Sequence, residues 1–298
     1  MVTWQPSSTR TRRTALHQSD TGSATNGPHC GCGEAKVALP TFLVPSASLH
    51  EPFATISGEE AKHLRVRRVR VGELVRLIDG TGGVRYGAVE RILPRSVVVR
   101  CLDTPPESSE SPLETYLAIP LIRAERLERA LEKATELGVH HLLVFSSARS
   151  RSYDARARLN RWQRILLEVT KQCQRLRVPT LSLFHSFEEL ISRVHASLGL
   201  FFDFGPEARA LSAISVDSPP KSVLLTVGPE GGLTAEESAL LHERGFHAVT
   251  LGPRILRAET AALAALTLVQ FLWGDLGVSA STALPSLRGD RNTRTFEA

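Results

Sequence analysis

From Leu113 to Trp273 short apolar runs alternate with amphipathic stretches, and no other feature constrains the fold as much. The pattern predicts strands at Tyr116–Ile119, Leu142–Phe145, Leu181–Phe184, Leu198–Phe204, Val223–Val227 and Ala248–Leu251. Between them it predicts helices over Ala124–Leu137, Leu159–Arg177, Phe187–Ala196, Thr234–Gly245 and Glu259–Trp273. In the first of these, Leu127, Leu131, Ala134 and Leu137 fall on one face and Gly138 supplies the stop. Strands that alternate with helices imply an α/β domain built on a parallel sheet. Ligands of such sheets bind beyond the carboxyl ends of the strands, so the chemistry is sought in the segments that follow each strand.

Upstream, the texture differs. Phe42–Val44, Leu74–Ile78, Val84–Ile92 and Ser96–Arg100 read as strands, with Asp79–Gly83 as a hairpin turn and one helix opening near Ser57. This is expected to be a small β-rich barrel domain over 40–103. Thr104–Pro112, rich in Pro and Ser, reads as a linker that no apolar residue ties down. The α/β domain is then 113–277, and the polar stretch 278–298 is expected to be a disordered tail. Residues 1–38 lack hydrophobic periodicity and carry no acid before Asp20, a composition that buries too little apolar surface to offset ordering. An organellar transit peptide shares that look, as does a plain disordered extension or an over-long start.

Of the 298 residues 42% are hydrophobic and 22% charged, which excludes collagen-like, mucin-like and wholly disordered chains. The formal charge is +5, and of 36 basic residues only Lys36, Lys62, Lys133, Lys171 and Lys221 are lysines. Arginine is the better bidentate partner for phosphate, so a polyanionic ligand is one reading; a codon preference for arginine is the other. Four cysteines do not make a disulfide scaffold, and a reducing, cytoplasmic location is expected, or an organellar matrix or stroma if the first 38 residues are a transit peptide. His29-Cys30-Gly31-Cys32 lacks a second Cys/His pair at zinc spacing, so no metal is expected. The longest uncharged stretch, Thr260–Gly274, falls short of the ~20 residues a membrane span needs and reads as a buried helix; no membrane partner is expected.

Two loops carry chemistry. Gly228-Pro229-Glu230-Gly231-Gly232-Leu233 follows a strand and precedes a helix, yet it contains neither the dinucleotide nor the P-loop pattern. Thr234 and Glu237 read as a capping box, and Glu230, Glu236 and Glu237 repel phosphate, so the loop suits a neutral or cationic ligand held by backbone groups. A tight turn with no ligand is the alternative. The second loop, Leu251-Gly252-Pro253-Arg254-Ile255-Leu256-Arg257-Ala258-Glu259, places two arginines against a helix N-terminus, where they oppose the macrodipole. They are tolerated there if they meet an anion or pair with Glu259.

These two stretches, with Gly274-Asp275-Leu276-Gly277, resemble the RsmE group of SPOUT methyltransferases, the 16S ribosomal RNA uracil-N3 methyltransferases. His63-Leu64-Arg65-Val66-Arg67-Arg68, Asp79-Gly80-Thr81-Gly82, Lys133–Val139 and Gln172-Cys173-Gln174-Arg175 match in family order over about 40–277. The resemblance implies a PUA-like barrel that docks RNA, an α/β SPOUT domain with a deep trefoil knot, S-adenosylmethionine in the knot loops, and a homodimer. The implied substrate is 16S ribosomal RNA within the small ribosomal subunit. Two segments depart from the family pattern. Lys171 and Gln174 stand where the family often has Glu and Gly, and Pro40-Thr41 replaces an arginine pair, both in segments where RNA contact is expected.

The roles that follow are expectations. Arg257 stabilises the developing uracil anion, Glu259 orients Arg257, and Arg254 or Arg175 contacts phosphate or base. Phe204, Gly205, Gly228, Glu230, Gly231, Leu251, Gly252, Ile255 and Leu256 hold the cofactor. Arg65, Arg67, Arg68, Arg70, Arg149 and Arg151 join Arg175 in binding RNA, and His63 faces RNA or packs. Methylation of another base or of a ribose 2′-hydroxyl, and a catalytically silent RNA-binding assembly factor, are the rival readings.

Overall fold

The computed structural model describes residues 39–103, 109–203, 205 and 207–277. The expectations for 1–38 (including His29–Cys32), most of the linker, Phe204 and 278–298 lie outside the described residues.

The first half is a five-stranded sheet in the order β1-β3-β4-β5-β2. Its strands are β1 (Thr41–Leu43), β2 (Phe53–Ser57), β3 (Leu74–Ile78), β4 (Val84–Ile92) and β5 (Ser96–Cys101). β2 was not anticipated from sequence, although Ala54 and Ile56 alternate inward between exposed neighbours as they should in a half-buried strand. Helix α1 (Gly58–Val66) starts after Ser57 and packs on β1, β2 and β5 with Ala61 and Leu64 buried, so it covers the gap between the two edge strands. The Asp79–Gly83 turn forms as expected, because Asp79 Oδ1 accepts from Thr81 N at 2.8 Å and Gly83 N at 2.9 Å.

The second half is a seven-stranded, all-parallel sheet in the order β10-β12-β9-β11-β6-β7-β8. Its strands are β6 (Glu114–Pro120), β7 (His141–Phe145), β8 (Thr180–Phe184), β9 (Leu198–Phe202), β10 (Arg209–Ala210), β11 (Ser222–Val227) and β12 (His247–Thr250). Five helices flank it: α2 (Ala124–Glu136), α3 (Leu159–Gln172), α4 (Phe187–Arg193), α5 (Ala235–Glu243) and α6 (Ala258–Trp273). Strand alternation sorts the core into two layers. Val223, Leu225 and Val227 of β11 join α2, α3 and α6 on one face, while Leu224 joins α4 and α5 on the other. β11, late in the chain, pairs with β6 on one side and β9 on the other, so it lies between two strands made earlier.

Two helix ends and one burial reading differ from expectation. α3 ends at Gln172 rather than Arg177, because Gln174 takes a left-handed conformation (φ 64°) and turns the chain so that Arg175 enters the core. α4 ends at Arg193 rather than Ala196, since Val194 is already extended. The helix read as buried over Thr260–Gly274 is buried on one face only: Ala262, Ala265, Leu266 and Val269 are inside, while Leu268, Phe271 and Leu272 are exposed. Among the described residues no helix is long and apolar enough to cross a membrane.

The linker's end is held by polar groups. Glu110 accepts from Arg175 Nη2 at 2.6 Å and from the Leu176 and Arg177 amides at 2.8 and 3.0 Å. Ser111 Oγ donates to Gln270 Oε1 at 2.7 Å. Nothing apolar was expected to tie this stretch down; buried hydrogen bonds do it instead.

Candidate active site

Because every strand of the larger sheet points the same way, the loops after β9, β11 and β12 emerge at one edge. β9 lies between the other two, so the two motif loops are roughly 10 Å apart, twice the ~4.8 Å strand spacing.

The loop after β11 is tightly closed. Gly232 N donates to Pro229 O at 2.8 Å, and Gly232 has φ +73°, a conformation that favours glycine. A Cβ on Gly228 would stand 3.1 Å from Leu233 N, so that residue has no room for a side chain. The expected capping box is present: Glu237 N donates to Thr234 Oγ1 at 3.2 Å and Thr234 N to Glu237 Oε2 at 2.8 Å. Glu237 is buried, and its other oxygen accepts from Ala148 N at 3.2 Å, which ties this loop to the one after β7. Arg149, expected among the RNA contacts, donates instead to Gly231 O at 2.8 Å and Leu233 O at 3.3 Å and so braces the turn.

The loop after β12 is open. Gly252 has φ +97° and empty space where a Cβ would point. Arg254 and Arg257 are exposed, and among the described residues neither guanidinium has a partner. Ile255 is 89% exposed, and Leu251 and Leu256 are half-buried. Gly205 sits after β9, where a Cβ would meet Asp203 Oδ2 at 3.1 Å.

Glu259 does not pair with Arg257 as expected. Its partner is Arg126, in the first turn of α2, whose Nε lies 3.7 Å from Glu259 Oε1 and whose Nη1 lies 3.3 Å from Glu230 Oε1. One guanidinium thus bridges both motif loops. Arg126 was missed because it lies more than a hundred residues from either carboxylate in sequence and belongs to no loop motif. The second oxygen, Glu259 Oε2, is buried with no hydrogen-bond partner among the described residues. A buried acceptor of this kind, beside glycine backbone and two carboxylates, suits a ligand with cationic or N–H donor groups and no phosphate.

Other expected site residues divide. Arg65, Arg67, Arg68 and Arg70 are exposed at and after the end of α1, beside exposed Val66 and Val71. Arg65 Nη2 donates to Leu93 O at 2.6 Å and Arg67 Nε to His63 Nε2 at 3.2 Å, while His63 packs edge-on against Phe42. Arg151 is exposed. Arg175 is only 4% exposed and is spent on Glu110, Thr135 O and Val139 O, which removes it from the RNA contacts. Burial would push the Glu110 carboxyl up, yet the Arg175 guanidinium and two backbone N–H groups hold it below the usual carboxylate range. Lys171 and Gln174 are not at an RNA-facing surface either. Lys171, 4% exposed, bonds Glu60 of α1 at 2.8 Å and Glu168 at 2.7 Å. Gln174 Nε2 donates to Thr41 Oγ1 at 3.0 Å, so both residues fasten the smaller sheet to the larger. Burial pushes the Cys101 and Cys173 thiols up, so neither is an activated nucleophile.

The chain matches an RNA methyltransferase domain over 109–270 and an RNA methyltransferase PUA domain over 56–100. It is 32% identical over 231 residues to the ribosomal RNA small subunit methyltransferase E of Bacillus subtilis, covering 74% of this chain and 90% of that one. A ribosomal RNA small subunit methyltransferase E from Neisseria gonorrhoeae bound to S-adenosyl methionine is 32% identical, with a TM-score of 0.72 over 80% of this chain and 99% of that one. A methyltransferase from Legionella pneumophila with bound SAM is 29% identical, with a TM-score of 0.73 over 80% of this chain and 100% of that one.

Proposed function

This chain belongs to the RNA methyltransferase family, as a relative of the small-subunit ribosomal RNA enzymes, and we propose that its methyl acceptor is N3 of a uridine in 16S ribosomal RNA. It is an S-adenosylmethionine-dependent ribosomal RNA methyltransferase with a PUA-like domain ahead of an α/β domain. The observation that carries the N3 reading is the pair of partnerless guanidinium groups, Arg254 and Arg257, at the mouth of a cleft already braced by carboxylates.

The cleft fits the cofactor. Backbone groups of Gly205, Gly228, Gly231, Leu251, Gly252, Ile255 and Leu256 would hold it, with Glu230 and Glu259 Oε2 facing its cationic and N–H groups. Bound there, S-adenosylmethionine supplies an electrophilic methyl group on a sulfonium and departs as a neutral thioether. Uracil N3 carries an imide proton, so its lone pair is free for attack only as that proton leaves to solvent or a base. The resulting charge spreads over O2 and O4, and a guanidinium beside one of these oxygens stabilises it with a charge-assisted hydrogen bond while leaving N3 open to the methyl group. Arg257 takes that role, and Arg254 holds the adjoining phosphate. Glu259 acts through Arg126 to fix the spacing of the two loops, leaving Arg257 free to meet the base.

A homodimer and a trefoil knot belong to the same reading. Exposed Leu268, Phe271 and Leu272 on α6 are the apolar patch a second copy would cover. The knot rests on the resemblance to the SPOUT group, in a sheet where β11 enters late between β6 and β9. The reaction would take place in the cytoplasm, on RNA within the small ribosomal subunit. The test is incubation with labelled cofactor and small subunits lacking the modification, followed by mass-spectrometric mapping of the labelled nucleotide. Label on N3 of one uridine is expected. Label on another base or a ribose, or cofactor binding without transfer, refutes the assignment.

A further inference from the structure

A cavity of about 380 Å³, unused by the mechanism above, opens at the carboxyl ends of β6, β7 and β8. Its size is within the ~300–1,000 Å³ of small-molecule sites. Leu121, Tyr153, Asp154, Arg156, Phe184 and His185 line it. The Tyr153 hydroxyl is buried with no hydrogen-bond partner among the described residues, so what Tyr153 offers the cavity is its apolar surface. The Arg158 guanidinium lies 5.8 Å from the centre of the Tyr153 ring. Arg156 Nη2 is 2.8 Å from His185 Nε2, so both sit at the rim of the cavity. The one acid of the 146–158 loop, Asp154, is engaged by the Arg156 and Ala157 amides at 3.0 and 3.2 Å, against four arginines in the same loop.

The cavity is joined to the active site. Arg149 of the same loop donates to Gly231 O, and Arg151 N donates to Leu121 O at 2.7 Å. β7 is two strands from β11, again roughly 10 Å. Proteins read single-stranded RNA by taking unstacked bases onto aromatic side chains and hydrogen-bonding their edges, with cations tracking the backbone. The aromatic residues Tyr153 and Phe184 and the rim Arg156 offer that combination. We propose that this cavity takes one unstacked nucleobase of the RNA strand beside the methylated nucleotide, with Tyr153 and Phe184 packing against it and Arg156 holding its phosphate. The proposal rests on the RNA substrate assigned above and adds a second contact to it.

The test is fluorescence anisotropy with labelled single-stranded RNA nonamers tiled across small-subunit ribosomal RNA. Arg156→Ala/His185→Ala is expected to weaken the best-bound nonamer about tenfold and Phe184→Leu about threefold, with S-adenosylmethionine affinity unchanged in both and melting temperature unchanged in the double variant. Arg156 and His185 are both exposed, so the double variant leaves the fold intact and a fold defect does not confuse the result. One abasic substitution in that RNA should weaken wild-type binding to the same degree and leave the double variant indifferent. Unchanged affinity in both variants, no measurable binding by wild type, or a loss that survives every abasic substitution overturns the proposal. Transfer by wild type to an atom other than N3 would instead refute the acceptor assignment and leave this binding result standing.

Discussion

The loops after β11 and β12 leave the same sheet edge and are spent differently. In the first, the turn closes on its own backbone, Thr234 and Glu237 cap the next helix, and Arg149 and Arg126 hold it from outside. In the second, Arg254, Ile255 and Arg257 are exposed, with no internal partner for either guanidinium. A braced loop presents backbone at fixed positions without reorganisation, which is what holding a cofactor needs. An open one keeps its donors available for a charge that exists only during reaction. Arg126, reaching a carboxylate beside each loop, keeps the two at a fixed distance.

Arg257→Ala should break this division most sharply. Turnover is expected to fall by about 10²–10³, while calorimetry shows cofactor affinity and melting temperature near wild type. A large loss of cofactor affinity would show that the open loop also holds.

The seam gives the opposite case, an arginine wholly consumed by structure. Glu110→Gln leaves the buried Arg175 charge uncompensated and should cost about 3 kcal/mol in urea unfolding. Since the Glu110 carboxyl is held below its ordinary range in the folded protein, its stabilisation is full above the unfolded carboxylate pKa. It is lost as pH falls through the lowered folded value. The wild type should therefore lose stability on acidification below about pH 4.5, and Glu110→Gln should show less of that loss.

Arg126→Gln tests the bridge. Cofactor affinity should weaken about tenfold, because one link is partly exposed and both are longer than ideal, with partial rescue by Lys, which keeps the charge but not the fork. An unchanged affinity would mean that the loops keep their spacing without it. Thr234→Ala should have the smallest effect, about 1 kcal/mol of stability from the lost cap, with turnover preserved in a methyl-transfer assay.

Most elements were legible because periodicity is local. The alternation of strands and amphipathic helices placed β6 to β9, β11 and β12, and the Thr234–Glu237 spacing gave the capping box outright. The two motif loops were legible for the same reason, being continuous stretches of chain. What sequence reading misassigned was the side chains whose partners come from elsewhere. Arg175 and Arg149 read as RNA contacts, and Lys171 and Gln174 as departures in a segment where RNA contact was expected, yet Glu110, Gly231, Glu60 and Thr41 claim them. Arg126 gave no signal at all.

The sequence by itself determined that this chain makes a small β domain ahead of a parallel α/β domain, and it pointed to the loops after β11 and β12 as the candidate site. Only the tertiary structure decided which charges remain free to act. Folding places β11 between β6 and β9 and brings α2 against both loops, and a charge's role depends on which opposite charge reaches it first. Periodicity along a chain carries no record of those distances, because they are set by strand order and not by spacing in sequence.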